Sequence, residues 1–299
     1  MNLVILNLKG GLGNQMFQYA LAYSISKKND ARLVFDLRFL NDRRGVKKYV
    51  LRDFNLDIFG IKPMEATRAE LAKVNMLFGS QKFRLYIGKL LDFIGFNVIS
   101  ERTPAYENRV LQNRLRNIYL DGYWQSEKYF SEYKEEIKKI FYINDDNFNE
   151  KVKILAEKIR GLKNAVCINV RRSDFIGSKH HDLVNKEYYL NSLNLIREKY
   201  QKNLKIFIFS DDIEWCEYNM RNISDDVSII GHEYAGASFS AYLYLMTQFS
   251  IFIIPNSTFA WWGAWLSSAK DKLVIAPKRW SGLDHMDTSD ILPESWIKN

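Results

Sequence analysis

The sequence predicts an α/β protein built on parallel β-sheets. Short apolar runs of strand length alternate with segments of helix length, most regularly after residue 163. Several of these runs end in polar clusters, where ligands sit in open α/β sheets. The chain opens on an apolar strand, a Gly-rich turn and a helix, an order that aims backbone N–H groups at an anion.

In order, residues 3–8 form the first strand and 16–25 the first helix, with Lys9-Gly10-Gly11-Leu12-Gly13-Asn14-Gln15 between them. The turn is not a Walker A loop, because the Gly-Lys-Ser/Thr ending is missing. A G-x-G-x-x-G spacing also fails after Gly13. A tight βα turn explains the glycines as well as an anion site does. The Asn14 and Gln15 amides are polar groups that a plain turn does not need.

Residues 31–35 form a second strand with Asp36 at its carboxyl end, and 41–48 are a charged loop. A helical pattern covers 65–95. Residues 117–125 alternate like a strand and end in Tyr123-Trp124-Gln125, aromatic and amide groups that serve sugar sites and ordinary cores alike. Amphipathic helices are expected over 127–141 and 147–162. A domain boundary is expected within 142–163 and is set between 155 and 156, giving domains 1–155 and 156–299.

Strands follow at 165–170, 204–209, 227–230, 249–254 and 273–276, with helices near 186–200, 212–221, 238–247 and 258–268. The first of these strands runs into Asn169-Val170-Arg171-Arg172-Ser173-Asp174. Arginine presents a planar fork of donors that matches phosphate oxygens. Arg-Arg pairs are more often solvated surface, but the strand end favours a site. The next strand runs into Ser210-Asp211-Asp212, and the 249–254 strand into Pro255-Asn256-Ser257-Thr258-Phe259. Ser257 or Thr258 is either a helix N-cap or a hydroxyl facing a phosphate.

Three polar strand ends in one parallel sheet converge on one crevice. Arginines and amides suit a diphosphate. A carboxylate suits ribose hydroxyls or the N1–H/N2–H edge of guanine. The expected ligand is a nucleotide, and a nucleoside diphosphate sugar fits the set.

Composition narrows the classes. The chain has 299 residues, 47% hydrophobic and 26% charged, as a globular fold with a large core requires. The N-terminus lacks a basic n-region and reads as a strand rather than a signal peptide. No apolar stretch reaches the roughly 18 residues of a membrane span. Cys167 and Cys216 stand far apart in apolar surroundings, as reduced core thiols of a cytoplasmic protein do. Four histidines and two cysteines without ligand spacing argue against a metal site. The net charge of +8 fits an anionic ligand, an anionic membrane surface or plain solubility. No nucleic-acid-binding motif is present, so no nucleic-acid partner is expected.

Taken together, Gly10-Gly11-Leu12-Gly13-Asn14-Gln15-Met16-Phe17-Gln18, Asp121-Gly122-Tyr123-Trp124-Gln125-Ser126, Arg171-Arg172-x-Asp174, Ser210-Asp211-Asp212 and 256–263 resemble the bacterial α-1,2-fucosyltransferases of glycosyltransferase family 11. The similarity runs along essentially the whole chain in the right order. It implies a GT-B-like fold, two Rossmann-like domains facing a central cleft, with the first half on the acceptor side and the second binding GDP-β-L-fucose. It implies inverting transfer to the 2-hydroxyl of a galactoside, in an oligosaccharide or lipid-linked glycan, for surface polysaccharide or O-antigen synthesis. No metal and no cofactor are expected, and the sequence lacks a literal Asp-x-Asp. The expected location is cytoplasmic, with peripheral contact at the inner face of the membrane if the acceptor is lipid-linked.

Carried over by residue, the resemblance gives Arg171 and Arg172 the diphosphate, Asp211 the nucleoside, and Ser257 and Thr258 the phosphates. Gly13 and Asn14 approach the pyrophosphate from the other domain. Gly11, Gln15, Asn169, Asp174, Ser210, Asp212, Asn256 and Phe259 join the substrate-binding set. Arg171 leads in stabilising the departing β-phosphate, supported by Arg172, Asn14 and Thr258. Asp36, Asp174 and His180 are the candidate general bases, with none singled out. The family pattern is usually His-x-Arg-Arg-Gly-Asp, and here Asn169 and Ser173 replace its His and Gly. Asn169 keeps hydrogen-bonding ability but cannot titrate. The alternatives are therefore a transferase for another GDP-deoxysugar and a non-catalytic nucleotide-sugar-binding protein.

Overall fold

A computed structural model describes residues 2–42, 52–77, 96–112, 116–173, 175–178, 183–200 and 203–299. The chain divides into two compact units, Met1–Ile140 and Phe141–Asn299.

In the first unit β1 (Asn2–Asn7) leads through a turn into α1 (Leu12–Lys28), which returns to β2 (Ala31–Asp36). Val4, Ile5 and Leu6 are fully buried in β1, and Met16, Phe17, Ala20 and Leu21 cover them from α1. Lys27 and Lys28 in the last turn of α1 complement the helix dipole. Asp30, at φ 46°, turns the chain into β2. After the single turn α2 (Arg38–Asn41) and α3 (Arg68–Leu77) come β3 (Phe96–Ser100) and β4 (Asn117–Asp121). The sheet order is β2-β1-β4-β3, and every pairing is parallel. A 3-10 stretch, Glu127–Tyr133, then runs into α4 (Lys134–Ile140). The helix expected over 65–95 is seen as α3, its residues 78–95 lie outside the described residues, and β3 was not anticipated.

The second unit starts with α5 (Glu150–Arg160), capped by the Asn149 side chain, which accepts the Val152 N–H at 3.1 Å. It continues through β5 (Ala165–Val170), α6 (Lys186–Tyr200), β6 (Lys205–Ser210), α7 (Ile213–Met220), β7 (Val227–Ile230), α8 (Ser240–Thr247), β8 (Ile251–Ile253), α9 (Thr258–Leu266) and β9 (Leu273–Ala276) to the short β10 (Ile297–Lys298). All pairings in the order β10-β9-β8-β5-β6-β7 are parallel. Leu243, Leu245 and Met246 of α8 and Trp261 and Trp262 of α9 are fully buried, as helices apolar on all sides must be.

The division falls at 140/141 rather than at 155/156. The reason is side-chain bonding to α8 and its C-terminus. The Tyr244 hydroxyl donates to Asp145 Oδ2 at 2.7 Å, and Arg160 Nη1 donates to Gln248 Oε1 at 3.0 Å. Residues 145–160 therefore belong with the second sheet. Among the described residues, no helix is long and apolar enough to cross a membrane.

Candidate functional site

In the second unit, strands β5, β6 and β7 progress one way across the sheet and β8, β9 and β10 the other. The switch point therefore lies between β5 and β8, and a ligand crevice is expected beyond their carboxyl ends. Arg171-Arg172 follow β5, and Asn256-Ser257-Thr258 follow β8. The family resemblance implies phosphate contacts for Arg171, Arg172, Ser257 and Thr258, and the topology puts the two segments at the ends of neighbouring strands.

The arginines are held from β6. Val170 pairs with Ser210, so the chain leaves β5 opposite Asp211. The Asp211 carboxylate accepts the backbone N–H of Arg172 at 2.9 Å and of Ser173 at 3.1 Å, and pairs with Arg171 Nη1 at 3.1 Å. Arg172 Nε donates to Asp212 Oδ2 at 3.1 Å, and its guanidinium carbon lies 4.1 Å from the Trp215 ring centroid. Asp212 also caps α7, accepting the Trp215 N–H at 3.0 Å. The Ser210 hydroxyl accepts the Asp212 N–H at 2.9 Å. These bonds orient both guanidinium groups before any ligand arrives. Asp211, expected at the nucleoside, binds the arginine loop.

Asn169 is buried, and its Nδ2 donates to the Phe209 carbonyl at 3.3 Å. It ties β5 to β6. Asp174 and His180 lie outside the described residues. After β8, Asn256 is buried and donates to the Trp280 carbonyl at 3.3 Å. The Ser257 hydroxyl accepts the Ala260 N–H at 3.5 Å, the N-cap geometry. Thr258 and Phe259, in the first turn of α9, are half-buried. Burial pushes the Cys216 thiol up to about 11 and raises that of Cys167 well above the ordinary cysteine value, so neither is a ready nucleophile.

The first unit has its own polar edge at the carboxyl ends of β1, β3 and β4. Gly10 takes φ +78°, and a Cβ there would lie 2.6 Å from Asn14 Nδ2. Gln18 closes the turn on both sides of Lys9, accepting its N–H at 3.1 Å and donating to its carbonyl at 3.0 Å. Gly11 starts α1 without a side-chain cap, with the Arg52 guanidinium close by. Asn14 Oδ1 accepts from Gln125 Nε2 at 2.9 Å. Gln15 is fully buried. Its amide donates to the carbonyls of Gly10 and Asp53 at 2.9 and 2.7 Å and accepts the Asn55 N–H at 3.0 Å. Gln15 thus fastens the 53–55 segment to the turn.

Lys9 Nζ pairs with Asp121 at 2.8 Å, Asn7 donates to the same carboxylate at 2.9 Å, and the Lys9 ammonium lies 5.1 Å from the Tyr123 ring centroid. Trp124 is fully buried, so of the aromatic pair only Tyr123, 38% exposed, can meet a ligand. Trp124 takes φ +57° because Glu101 accepts its N–H at 2.8 Å and that of Tyr123 at 2.7 Å. Burial raises the Glu101 carboxyl above the usual glutamate range despite those bonds. Asp36 accepts a bidentate contact from Arg38, at 2.7 to 3.1 Å, and the Tyr119 hydroxyl at 2.9 Å. Burial acts to raise its pKa, but the Arg38 and Tyr119 bonds outweigh it and hold the carboxyl low. Asp36 is thus a poorly suited general base.

Glu101, Lys9 and Trp215 escaped the sequence reading. The signal for Trp215 was its place three residues after Asp212, in the first turn of α7. Nothing local marks the others.

The family model for glycosyl transferase family 11 matches residues 104–299. An alpha-1,2-colitosyltransferase of Escherichia coli is 33% identical, with the alignment covering 100% of this chain and 99% of that protein. The O-antigen biosynthesis glycosyltransferase WbnK of Escherichia coli is 30% identical, over 97% of this chain and 98% of its own. Galactoside 2-alpha-L-fucosyltransferase SEC1 of Bos taurus is 24% identical, over 88% of this chain and 64% of its own.

Proposed function

The chain belongs to glycosyltransferase family 11, and we propose that it is an inverting, metal-independent α-1,2-fucosyltransferase that moves L-fucose from GDP-β-L-fucose to the 2-hydroxyl of a galactoside. The observation that carries this reading is the pair of arginines oriented by Asp211 and Asp212 beyond β5, beside the start of α9. The linkage is supported by two relatives, the colitosyltransferase and the bovine enzyme, whose names specify transfer to a 2-position. The O-antigen relative supports a surface polysaccharide acceptor. We assign the donor to the second unit and the acceptor to the first, the components of a GT-B arrangement.

Inversion is one in-line displacement. The galactose hydroxyl attacks C1 of fucose and gives up its proton to solvent, the C1–O bond to the β-phosphate breaks, and GDP leaves with that electron pair. Charge grows on the departing phosphate. Preorganised donors aimed at such charge are worth about 3–4 kcal/mol each, and Arg171 leads that role with Arg172 beside it. Asn169 acts within the sheet, so its inability to titrate does not bear on the displacement.

The full-length match to a colitosyltransferase supports a second reading, transfer of colitose, which is fucose without the 3-hydroxyl. A site built to hydrogen-bond that hydroxyl rejects the deoxy sugar by about 10⁴-fold, whereas an apolar one barely discriminates. The test is acceptor-dependent GDP release from GDP-fucose and from GDP-colitose with lactose, with and without EDTA. Release from GDP-fucose that survives EDTA, with an α-1,2 product, is the expected result. A preference for GDP-colitose overturns the fucose assignment, and GDP binding without transfer across a galactoside panel overturns the enzymatic one.

A further inference from the structure

We propose that Phe239 is the platform on which the nucleobase of the donor stacks. The inference rests on the donor being a nucleoside diphosphate sugar.

The segment from Gly231 to Phe239 leaves the carboxyl end of β7 and runs into α8. His232 Nε2 lies 3.1 Å from the Ser210 carbonyl, which ties the segment to the strand end that carries Asp211. The Phe239 ring meets His232 edge-on at 6.1 Å, rests 5.9 Å from the buried Tyr242, and meets Phe259 of α9 edge-on at 6.5 Å. It thus touches groups that follow β7 and β8, and His232 links it to the end of β6, on the carboxyl edge that also bears Arg171 and Arg172. It is nonetheless 42% exposed.

The backbone beneath that ring is strained. Ser238 sits at φ 49° and Phe239 at φ 61°, after Gly236 at φ 70°. Two successive side-chain-bearing residues in the left-handed region are costly, and such strain persists where the surroundings over-determine it. They do so here. The Ala235 carbonyl accepts the N–H groups of Ala241 at 3.0 Å and Tyr242 at 3.2 Å. A Cβ on Gly236 would come within 2.9 Å of Ala241 Cβ. A glycine would suit the backbone of residue 239 better, and core packing does not require a ring left this exposed. What the position supplies is an immobilised aromatic face. On the sheet edge that carries two phosphate-type arginines, its complement is the flat face of a base.

The test uses the full chain and the variants Phe239→Gly and Phe239→Trp, with Kd for GDP and for inorganic pyrophosphate from calorimetry. Loss of one base–aromatic stack predicts that F239G weakens GDP about 5- to 150-fold. Pyrophosphate affinity and melting temperature should be undiminished, since glycine relieves the backbone. F239W should keep GDP affinity. Unchanged GDP affinity in F239G, or an equal loss for GDP and pyrophosphate, overturns the platform. If the wild type binds no nucleoside diphosphate better than pyrophosphate, the donor reading itself falls. If it binds GDP tightly and F239G does too, the platform alone falls.

Discussion

Asp211 holds Arg172 by its backbone, not by its side chain: the carboxylate accepts the Arg172 N–H at 2.9 Å, while the guanidinium goes to Asp212. The same carboxylate reaches Arg171 Nη1 and the Ser173 N–H, so one half-buried acid shapes the whole turn after β5. Hydrogen bonds to a charged group contribute about 1.5–3 kcal/mol. Asp211→Asn keeps the shape but replaces an acceptor with an amide donor that opposes those N–H groups. We expect kcat/KM for the donor to fall roughly 10- to 100-fold, with pyrophosphate affinity falling alongside. An unchanged pyrophosphate Kd would show that Asp211 does not organise the arginines.

Arg171 is expected to act in the displacement itself. Arg171→Ala should lower kcat by about 10²–10³-fold. Arg171→Lys should recover only part of it, because a point charge cannot reproduce a fork shared between Asp211 and a phosphate. Single-turnover measurement of GDP release reads this directly. Near-normal turnover in R171A would remove Arg171 from the mechanism.

Gln15 separates architecture from binding. Its fully buried amide makes three bonds to the turn and to the 53–55 segment. Gln15→Ala removes all three bonds, at a cost of about 1–3 kcal/mol each at most. A lowered melting temperature with unchanged GDP affinity is expected. A selective loss of GDP affinity at unchanged stability would restore Gln15 to the substrate-binding set.

Asp36 makes a pH prediction. Its carboxyl is held below the ordinary aspartate value by Arg38 and Tyr119. A carboxyl lowered in the folded state adds stability that is present above its unfolded pKa, about 3.9, and lost as pH falls through the folded one. The wild type should therefore exceed Asp36→Asn in urea midpoint at pH 7. The gap should close below about pH 4. A pH-independent gap would mean that packing, not charge, accounts for the difference.

Parts of this structure were legible because their signals are local. The strands at 165–170, 227–230 and 273–276 and the helix at 186–200 have the bounds that periodicity indicated. In each, neighbouring residues share one environment. β3 was missed because its five residues follow a long Leu- and Lys-rich pattern with only Gly95 between, and are too few to display a period of their own. The helix expected from 238 starts at Ser240, because Ser238 and Phe239 take left-handed angles that no composition announces.

The sequence by itself determined the α/β class, the strand ends that carry polar groups, the Arg171-Arg172 pair and the family resemblance, all of which reside in contiguous residues. Tertiary structure alone decided which partner each side chain has. Strand register across some forty residues sets Val170 against Ser210, and so brings Asp211 to the arginine turn. Burial turned Gln15, Asn169 and Trp124 from candidate ligand groups into internal ties and core. Parallel strands that end on one edge brought His232, Phe239 and Phe259 together from distant segments. Such contacts depend on long-range pairing and on the desolvation of groups far apart in the chain, and neither leaves a period or a motif to read.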